Sequence, residues 1–531
     1  MLIIISSLVI GSEVALYTEW GSKLNFTALS HLKNPSEVFL SASFYHTSIL
    51  LFFLLIGVLF TKIFNQYLEL RELFSFHTSN NLNKFFESTL HLIFIGFMFM
   101  LVRGGLQPIP INLSDSYFSK HMILNDISVN PSWNIFQSFL KSKTNLKGNP
   151  YEKYNNEEIN VFAKSLSNDI RFSGNILNIE KPNIVFVLLE SWSADNIESL
   201  GGLKGITPNF KKLEKEGYLF DNFYTNGWTS DQAMSSIFSS FPVFPYVAVI
   251  NQSDKSRRLS SLNNSLPDDY HSSFFFGGQL TYGNIKGYFI SKGFDIVKDE
   301  EDYPNLEKGG LGVHDGDMFQ QFKQELNTLP QPFMSTLFTL SSHSPYDFPG
   351  ERNLSFNSKE DTYVNSVAYT DKCLGNFISS IKNEEWYKNT LFIIVADHSH
   401  NSPKGWKLAQ KERFKIPMIW YGNVIKEEFK GKIHKKLGSQ LDIVPTLLRQ
   451  LNLDANEYKF GKDLFNINSV EFVPYAFPRG YGWIRPEGYY AFSQSYNRVL
   501  EHEANSHEEK SKIKKEAELF FQLSFQDYMD L

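Results

Sequence analysis

Pro182-Asn183-Ile184-Val185-Phe186-Val187-Leu188-Leu189-Glu190-Ser191-Trp192 is an unbroken apolar run that surfaces on a carboxylate. A strand buried on both faces reads this way, as in a parallel sheet covered by helices on either side. Thr390-Leu391-Phe392-Ile393-Ile394-Val395-Ala396-Asp397-His398 has the same construction and ends on a carboxylate and an imidazole. Open α/β sheets carry their sites at the carboxyl ends of parallel strands, so Glu190, Asp397 and His398 are expected to converge. Between the two runs, Gly227-Trp228-Thr229-Ser230-Asp231 precedes Gln232-Ala233-Met234 and reads as a helix start.

Taken singly, the strand-end acids read as helix caps and Thr229-Ser230-Asp231 as an N-cap. Together they suit one chemistry. Two carboxylates and an imidazole are ordinary ligands for Zn, Mn or Mg, and a Thr hydroxyl on such a cation becomes an alkoxide-like nucleophile near neutral pH. A helix N-terminus also offers N–H groups to an anion.

The ordered motifs resemble the alkaline phosphatase and sulfatase superfamily, and within it the lipoteichoic acid synthase-like membrane phosphotransferases. The likeness runs from about Lys181 to Phe465. It includes Lys181-Pro182-Asn183-Ile184-Val185, Thr207-Pro208-Asn209-Phe210, Phe220-Asp221-Asn222-Phe223-Tyr224 and Leu340-Ser341-Ser342-His343-Ser344-Pro345-Tyr346. Val395-Ala396-Asp397-His398, Ile416-Pro417-Met418 and Gln440-Leu441-Asp442-Ile443-Val444-Pro445 complete it. The resemblance implies an alkaline phosphatase-like α/β sandwich with a mostly parallel central sheet. It also implies one divalent cation, Mn or Mg with Zn as an alternative, held by Glu190, Thr229, Asp397 and His398, with Thr229 the nucleophile. His343 would hold a phosphate oxygen. Gln279, Asn284 and Lys286, in Phe276-Gly277-Gly278-Gln279-Leu280-Thr281-Tyr282-Gly283-Asn284-Ile285-Lys286, would contact the headgroup. Two departures stand out: relatives usually carry Asp where Gln279 stands, and Trp where Leu311 precedes Gly312-Val313-His314-Asp315.

His343 also reads as a solvated loop residue. His314 and His400 read as surface residues, either of which could complete a second metal site. Sulfatases take their nucleophile from a Cys/Ser-x-Pro-x-Arg context, which the residues after Thr229 lack. The single cysteine, Cys373, excludes internal disulfides and reads as a core residue of a helix.

The net charge of -6 over 531 residues, with no basic cluster, argues against nucleic acid. Many of the 49 Phe lie near the N-terminus, where three apolar segments stand: Met1 to about Tyr17, interrupted by Glu13, Phe44 to Phe60, and Leu90 to Val102. The two internal segments are near the length a bilayer needs once flanks are counted, with core helices their alternative, and the first reads as a transmembrane helix or the remainder of one, with a signal peptide its alternative. A chain opening inside an apolar run suggests further helices upstream. Lys62, Arg71 and Lys84 against Lys23 and Lys33 do not decide orientation. The resemblance puts the catalytic domain outside the cytoplasm.

The expected organisation is therefore 1–105 transmembrane helices, 106–180 a juxtamembrane linker, 181–465 the catalytic domain, and 466–531 a small antiparallel sheet with a C-terminal helix. Trp133 to Lys141 reads as an amphipathic helix lying on the membrane or packing on the catalytic domain. The expected function is transfer of a phosphoglycerol-type headgroup from a membrane phospholipid, through phosphothreonine, to a glycan, glycolipid or water. The alternatives are a phosphoethanolamine transferase, a phosphodiesterase, a sulfatase and an inactive envelope protein.

Overall fold

The computed structural model describes residues 2–20, 23–24, 44–72, 81–107, 109–142, 148–166 and 174–531. Lys33, Pro108 and part of the linker lie outside the described residues. The chain divides into two compact units, Met1–Lys147 and Gly148–Leu531, so the break falls inside the segment read as linker.

In the first unit, α1 (Leu2–Trp20), α2 (Phe44–Glu72) and α3 (Asn81–Arg103) coincide with the three apolar segments. Glycines let α1 and α2 approach closely: Gly11 faces Phe53 and Gly57 faces Ser7. Among the described residues, one helix, Phe44–Tyr67, is long and apolar enough to cross a membrane, and Leu2–Tyr17 and Ser88–Arg103 are shorter apolar helices. The two internal segments are not core helices. Phe52, Leu55, Phe60, Leu92, Phe94 and Phe99 are all exposed. The charge that interrupts α1 is neutralised, since Lys23 Nζ lies 2.5 Å from Glu13 Oε1 and also donates to the carbonyls of Asp126 and Val129. Helix α4 (Pro131–Ser142) packs on α1, with Asn134 Nδ2 donating to the Leu24 carbonyl at 2.9 Å.

The second unit is built on an eight-stranded sheet. In chain order its strands are β1 (Asn183–Leu189), β2 (Tyr218–Phe220), β3 (His271–Phe276), β4 (Ile296–Lys298), β5 (Phe333–Phe338), β6 (Thr390–Ala396), β7 (Met418–Tyr421) and β8 (Lys432–His434). Their spatial order is β8-β2-β7-β6-β1-β5-β3-β4, and only β7 runs against the rest. The two apolar runs become the central neighbours β1 and β6, every residue of each buried. Their parallel register pairs Leu189 with Ala396, so Glu190 and Asp397 emerge side by side.

Helix α5 (Ser230–Ser239) lies on this sheet, its Phe238 ring 5.2 Å from Phe186 of β1 and 5.1 Å from Phe289. Its N-terminus lies at the end of β1, where Ser230 Oγ is 3.3 Å from Glu190 Oε2. Helices α6 (Asp315–Leu326), α7 (Asp361–Ile381) and α8 (Ile443–Gln450) add further cover. Cys373 is buried in α7, and burial pushes its thiol up to about 12.

The expected C-terminal sheet is present as β9 (Val473–Phe477), β10 (Gly480–Arg485), β11 (Gly488–Ser493) and β12 (Arg498–Ala504), all antiparallel, followed by α9 (His507–Asp530). Its turns fall at Pro478-Arg479, where Arg479 has φ 63°, at Pro486-Glu487 and at 494–497. The apolar face of α9 packs on it, with Phe520 5.0 Å from Trp483 and Phe521 4.4 Å from Tyr481. The sheet also braces the loop leading to Thr229: Asn226 Nδ2 donates to the Pro474 carbonyl at 2.6 Å, and Ala476 N to the Asn226 carbonyl at 2.8 Å.

Candidate metal centre

Glu190 and Asp397 are buried at the ends of β1 and β6, and His398 is half-buried beside them. One ligand atom from each lies within 4.8 Å of the others, the one such three-residue group among the described residues. His398 Nε2 is 3.7 Å from Glu190 Oε1 and 3.5 Å from Asp397 Oδ2. His398 Nδ1 donates to the Ser399 carbonyl at 2.9 Å, which leaves the Nε2 lone pair facing the carboxylates.

Each carboxylate is steadied from behind. Asp397 Oδ1 accepts the N–H groups of Ser191 (2.8 Å) and His398 (2.7 Å). Glu190 Oε1 accepts from Ser191 Oγ at 2.6 Å, and Ser191 has φ 60°, the turn that brings the chain sharply off β1. Asp397 Oδ2 is buried with no hydrogen-bond partner. An orphaned carboxylate oxygen facing a second carboxylate and an imidazole lone pair is an arrangement that a divalent cation satisfies. Without one, burial and then the Glu190 charge push Asp397 up to about 7. Burial pulls His398 down, but Asp397 and Glu190 outweigh it and the net direction is upward.

Thr229 is the N-cap of α5, yet its side chain makes no capping bond. Its Oγ donates instead to Asp231 Oδ1 at 2.5 Å, and Asp231 Oδ2 accepts Asn251 Nδ2 at 2.7 Å. At this helix start it is the Ser230 hydroxyl that touches the cluster, 3.3 Å from Glu190 Oε2 and 3.5 Å from His398 Nε2. Neither Ser230 nor Asp231 was assigned a role from sequence, where both read as helix-start residues. Gln440 is a further unassigned support. Its Nε2 donates to the carbonyls of Ala396 and Asp397, and its Oε1 accepts from Thr225 Oγ1, joining the β6 end to the loop before Thr229.

His343 is exposed, and its loop is tied to the centre because Ser342 Oγ donates to the Glu190 carbonyl at 2.6 Å. Of the expected headgroup residues, Gln279 is half-buried in the turn after β3. Asn284 points inward at φ 58°, its Nδ2 donating to the Ile250 carbonyl at 2.5 Å, with its Oδ1 buried and unpartnered. Lys286 Nζ is paired with the buried Asp299, 3.1 Å from its Oδ2.

The expectation that His314 and His400 are surface residues is corrected. Both are half-buried. His400 packs against Tyr363 at 4.2 Å between ring centres and accepts from Tyr346 Oη at 2.9 Å, and burial pushes it down to about 4. Neither belongs to the three-residue ligand group. Asp315, in the Gly-x-x-Asp motif, is a buried support whose Oδ1 accepts the N–H groups of Leu340 and Ser341 and whose Oδ2 accepts Thr370 Oγ1.

The chain belongs to the sulfatase family, whose model matches residues 182–453. Within that class it is similar to the lipoteichoic acid synthase-like YvgJ of Bacillus subtilis, 29% identical over 349 residues covering 60% of this chain and 55% of the relative. It is also similar to lipoteichoic acid synthase 2 of the same organism, 27% identical over 375 residues, covering 64% of this chain and 56% of the relative. The chain spans about half the length of the curated relatives it matches. Among solved structures, it resembles a protein in the alkaline phosphatase superfamily from Vibrio parahaemolyticus, with a TM-score of 0.62 and 26% identity, covering 72% of this chain and 97% of the other. The lipoteichoic acid synthase LtaP from Listeria monocytogenes shares the fold, with a TM-score of 0.57 and 21% identity over 71% of this chain and 98% of that one.

Proposed function

We propose that this protein is a membrane-anchored, divalent-cation-dependent phosphotransferase. It moves a phosphoglycerol-type headgroup from a phospholipid, through a phosphothreonine at Thr229, to an envelope hydroxyl. The observation that carries this reading is the convergence of Glu190, His398 and the orphaned Asp397 Oδ2 beside the N-terminus of α5. When bound by Glu190, Asp397, His398 and Thr229, a cation such as Mn or Mg would neutralise phosphoryl charge and acidify the threonine hydroxyl.

The chain's own groups account for the remaining demands of phosphoryl transfer, which are positioning and charge. Asp231, fixed by Asn251, holds the Thr229 hydroxyl. The first N–H groups of α5 and the exposed His343 are donors for the phosphoryl oxygens. As Thr229 Oγ bonds to phosphorus, the bond from phosphorus to the lipid oxygen breaks, the threonine proton ends on that oxygen, and diacylglycerol leaves. An acceptor hydroxyl then reverses the exchange at the same phosphorus. The missing Cys/Ser-x-Pro-x-Arg context argues for phosphoryl rather than sulfuryl chemistry. The Phe44–Tyr67 helix supports the anchoring, and the resemblance to lipoteichoic acid synthases supports several spans with the second unit on the extracytoplasmic side.

The test is the intact mass of the full chain in detergent after incubation with Mn and a panel of phospholipids, with Thr229→Ala alongside. The expected result is a Thr229-dependent adduct whose mass names the headgroup, phosphoglycerol rather than phosphoethanolamine. Turnover retained in Thr229→Ala would overturn the reading.

A further inference from the structure

A cleft between the short hairpin Lys308–Gly309/Gly312–Val313 and the loop 340–347 holds a polar pair with no part in the chemistry above. Its lining includes Gly309, Leu311, His314, Ser341, His343 and Asp347. His314 Nε2 is buried without a hydrogen-bond partner and lies 3.9 Å from Asp347 Oδ2. Asp347 is itself held by the Gly310 N–H, at 2.9 Å.

A separation of 3.9 Å is too long for a direct hydrogen bond but lets one oxygen bond to both atoms. Gly309 keeps that approach open: a Cβ there would sit 2.4 Å from His314 Nε2 and 2.6 Å from Asp347 Oδ2. An unsatisfied buried nitrogen is costly, so a ligand that satisfies it gains affinity.

The two polar atoms select the occupant. A carboxylate repels phosphate, and one nitrogen with one carboxylate is too few ligands for a cation. A neutral hydroxyl fits both, donating to Asp347 and accepting from His314 in its Nε2–H tautomer.

The cleft is tied to the reaction centre on two sides. His343 lines it, and the preceding Ser342 bonds to the Glu190 carbonyl. Across the hairpin, Val313 N donates to the Gly277 carbonyl at 2.8 Å, two residues before Gln279. Resting on the phosphotransferase reading, we infer that the His314–Asp347 pair is the acceptor subsite, binding the hydroxyl of a neutral polyol such as glycerol or a sugar. In the second half-reaction the acceptor oxygen bonds to phosphorus and the bond from phosphorus to Thr229 Oγ breaks. The acceptor's proton ends on the Thr229 oxygen.

The test has two arms on the full chain in detergent. In the first, saturation-transfer NMR follows glycerol and methyl glucoside binding to wild type, Gly309→Ala and Asp347→Ala. Contact in wild type that is lost in both variants is expected, and identical signals in all three proteins overturn the subsite. In the second, the Mn-loaded enzyme partitions its Thr229 adduct between the same acceptors and water. The variants are expected to raise the acceptor KM about tenfold, the loss of one hydrogen bond, and to divert flux to water. An unchanged KM and partition mean that the pair holds a structural water only and overturn the inference. A wild type that binds polyol but never loads Thr229 contradicts the phosphotransferase reading and leaves the polyol site standing.

Discussion

Thr229 gives its hydroxyl hydrogen to Asp231, 2.5 Å away, rather than capping the helix it begins. An N-cap threonine ordinarily contributes about 0.5–2 kcal/mol through its bond to the first turn. Here that bond is absent, and Asp231 keeps Asn251 and the Gln232 N–H as partners if Thr229 is truncated. Thr229→Ala is therefore expected to cost about 1 kcal/mol or less in a denaturant titration while eliminating adduct formation. A large loss of stability would show that the residue is structural.

Asp397 and His398 both hold protons more tightly in the cation-free fold than in the unfolded chain. Groups with raised folded values add stability that is full below their unfolded values and is lost as pH rises through the folded ones. For Asp397 that window runs from about 4 to about 7. The cation-free protein is thus expected to lose stability across it, and a cation to restore what is lost. Divalent cation at a hundred times its Kd adds about 2.7 kcal/mol, and the gain in Tm from Mn should be larger at pH 8 than at pH 5.5. An equal gain at both, or none, would count against the ligand set.

Lys286 and Asp299 form a partly buried ion pair, so a headgroup contact by Lys286 has to compete with Asp299. Lys286→Met is expected to destabilise the fold by about 1–3 kcal/mol through the stranded carboxylate and to raise the donor KM. The double variant with Asp299→Asn should recover the stability and not the KM. If it recovers both, Lys286 serves the fold alone.

Lys462 and Asp442 are both almost fully buried 2.7 Å apart, and Lys462 also donates to the Phe472 carbonyl at the entrance to β9. Lys462→Met is expected to cost about 3–5 kcal/mol, the usual penalty for one partner of a buried pair, read as a lowered urea midpoint.

The central strands were legible because burial on both faces leaves an unmistakable apolar run, and their terminal acids followed from where such strands surface. The direction of β7 was not, since a short apolar strand such as Met418–Tyr421 carries no mark of parallel or antiparallel pairing. The supports of the site escaped for a similar reason. Gln440, Asp231 and Asp299 act through partners set by the fold, and polar residues at the starts of helices and turns look alike until their neighbours are known. His314 and His400 were misread as surface residues because a histidine in a polar stretch gives no sign of the aromatic or glycine wall it packs against. Glu13, which seemed to break the first apolar segment, is matched by Lys23 just past the helix.

The pairing of Leu189 with Ala396 sets the spacing of the two carboxylates by a backbone ladder, not by any loop. The segments carrying Gln279, Lys286, His314 and His343 lie outside that ladder, so each can change while the distance between the two carboxylates stays set by β1 and β6.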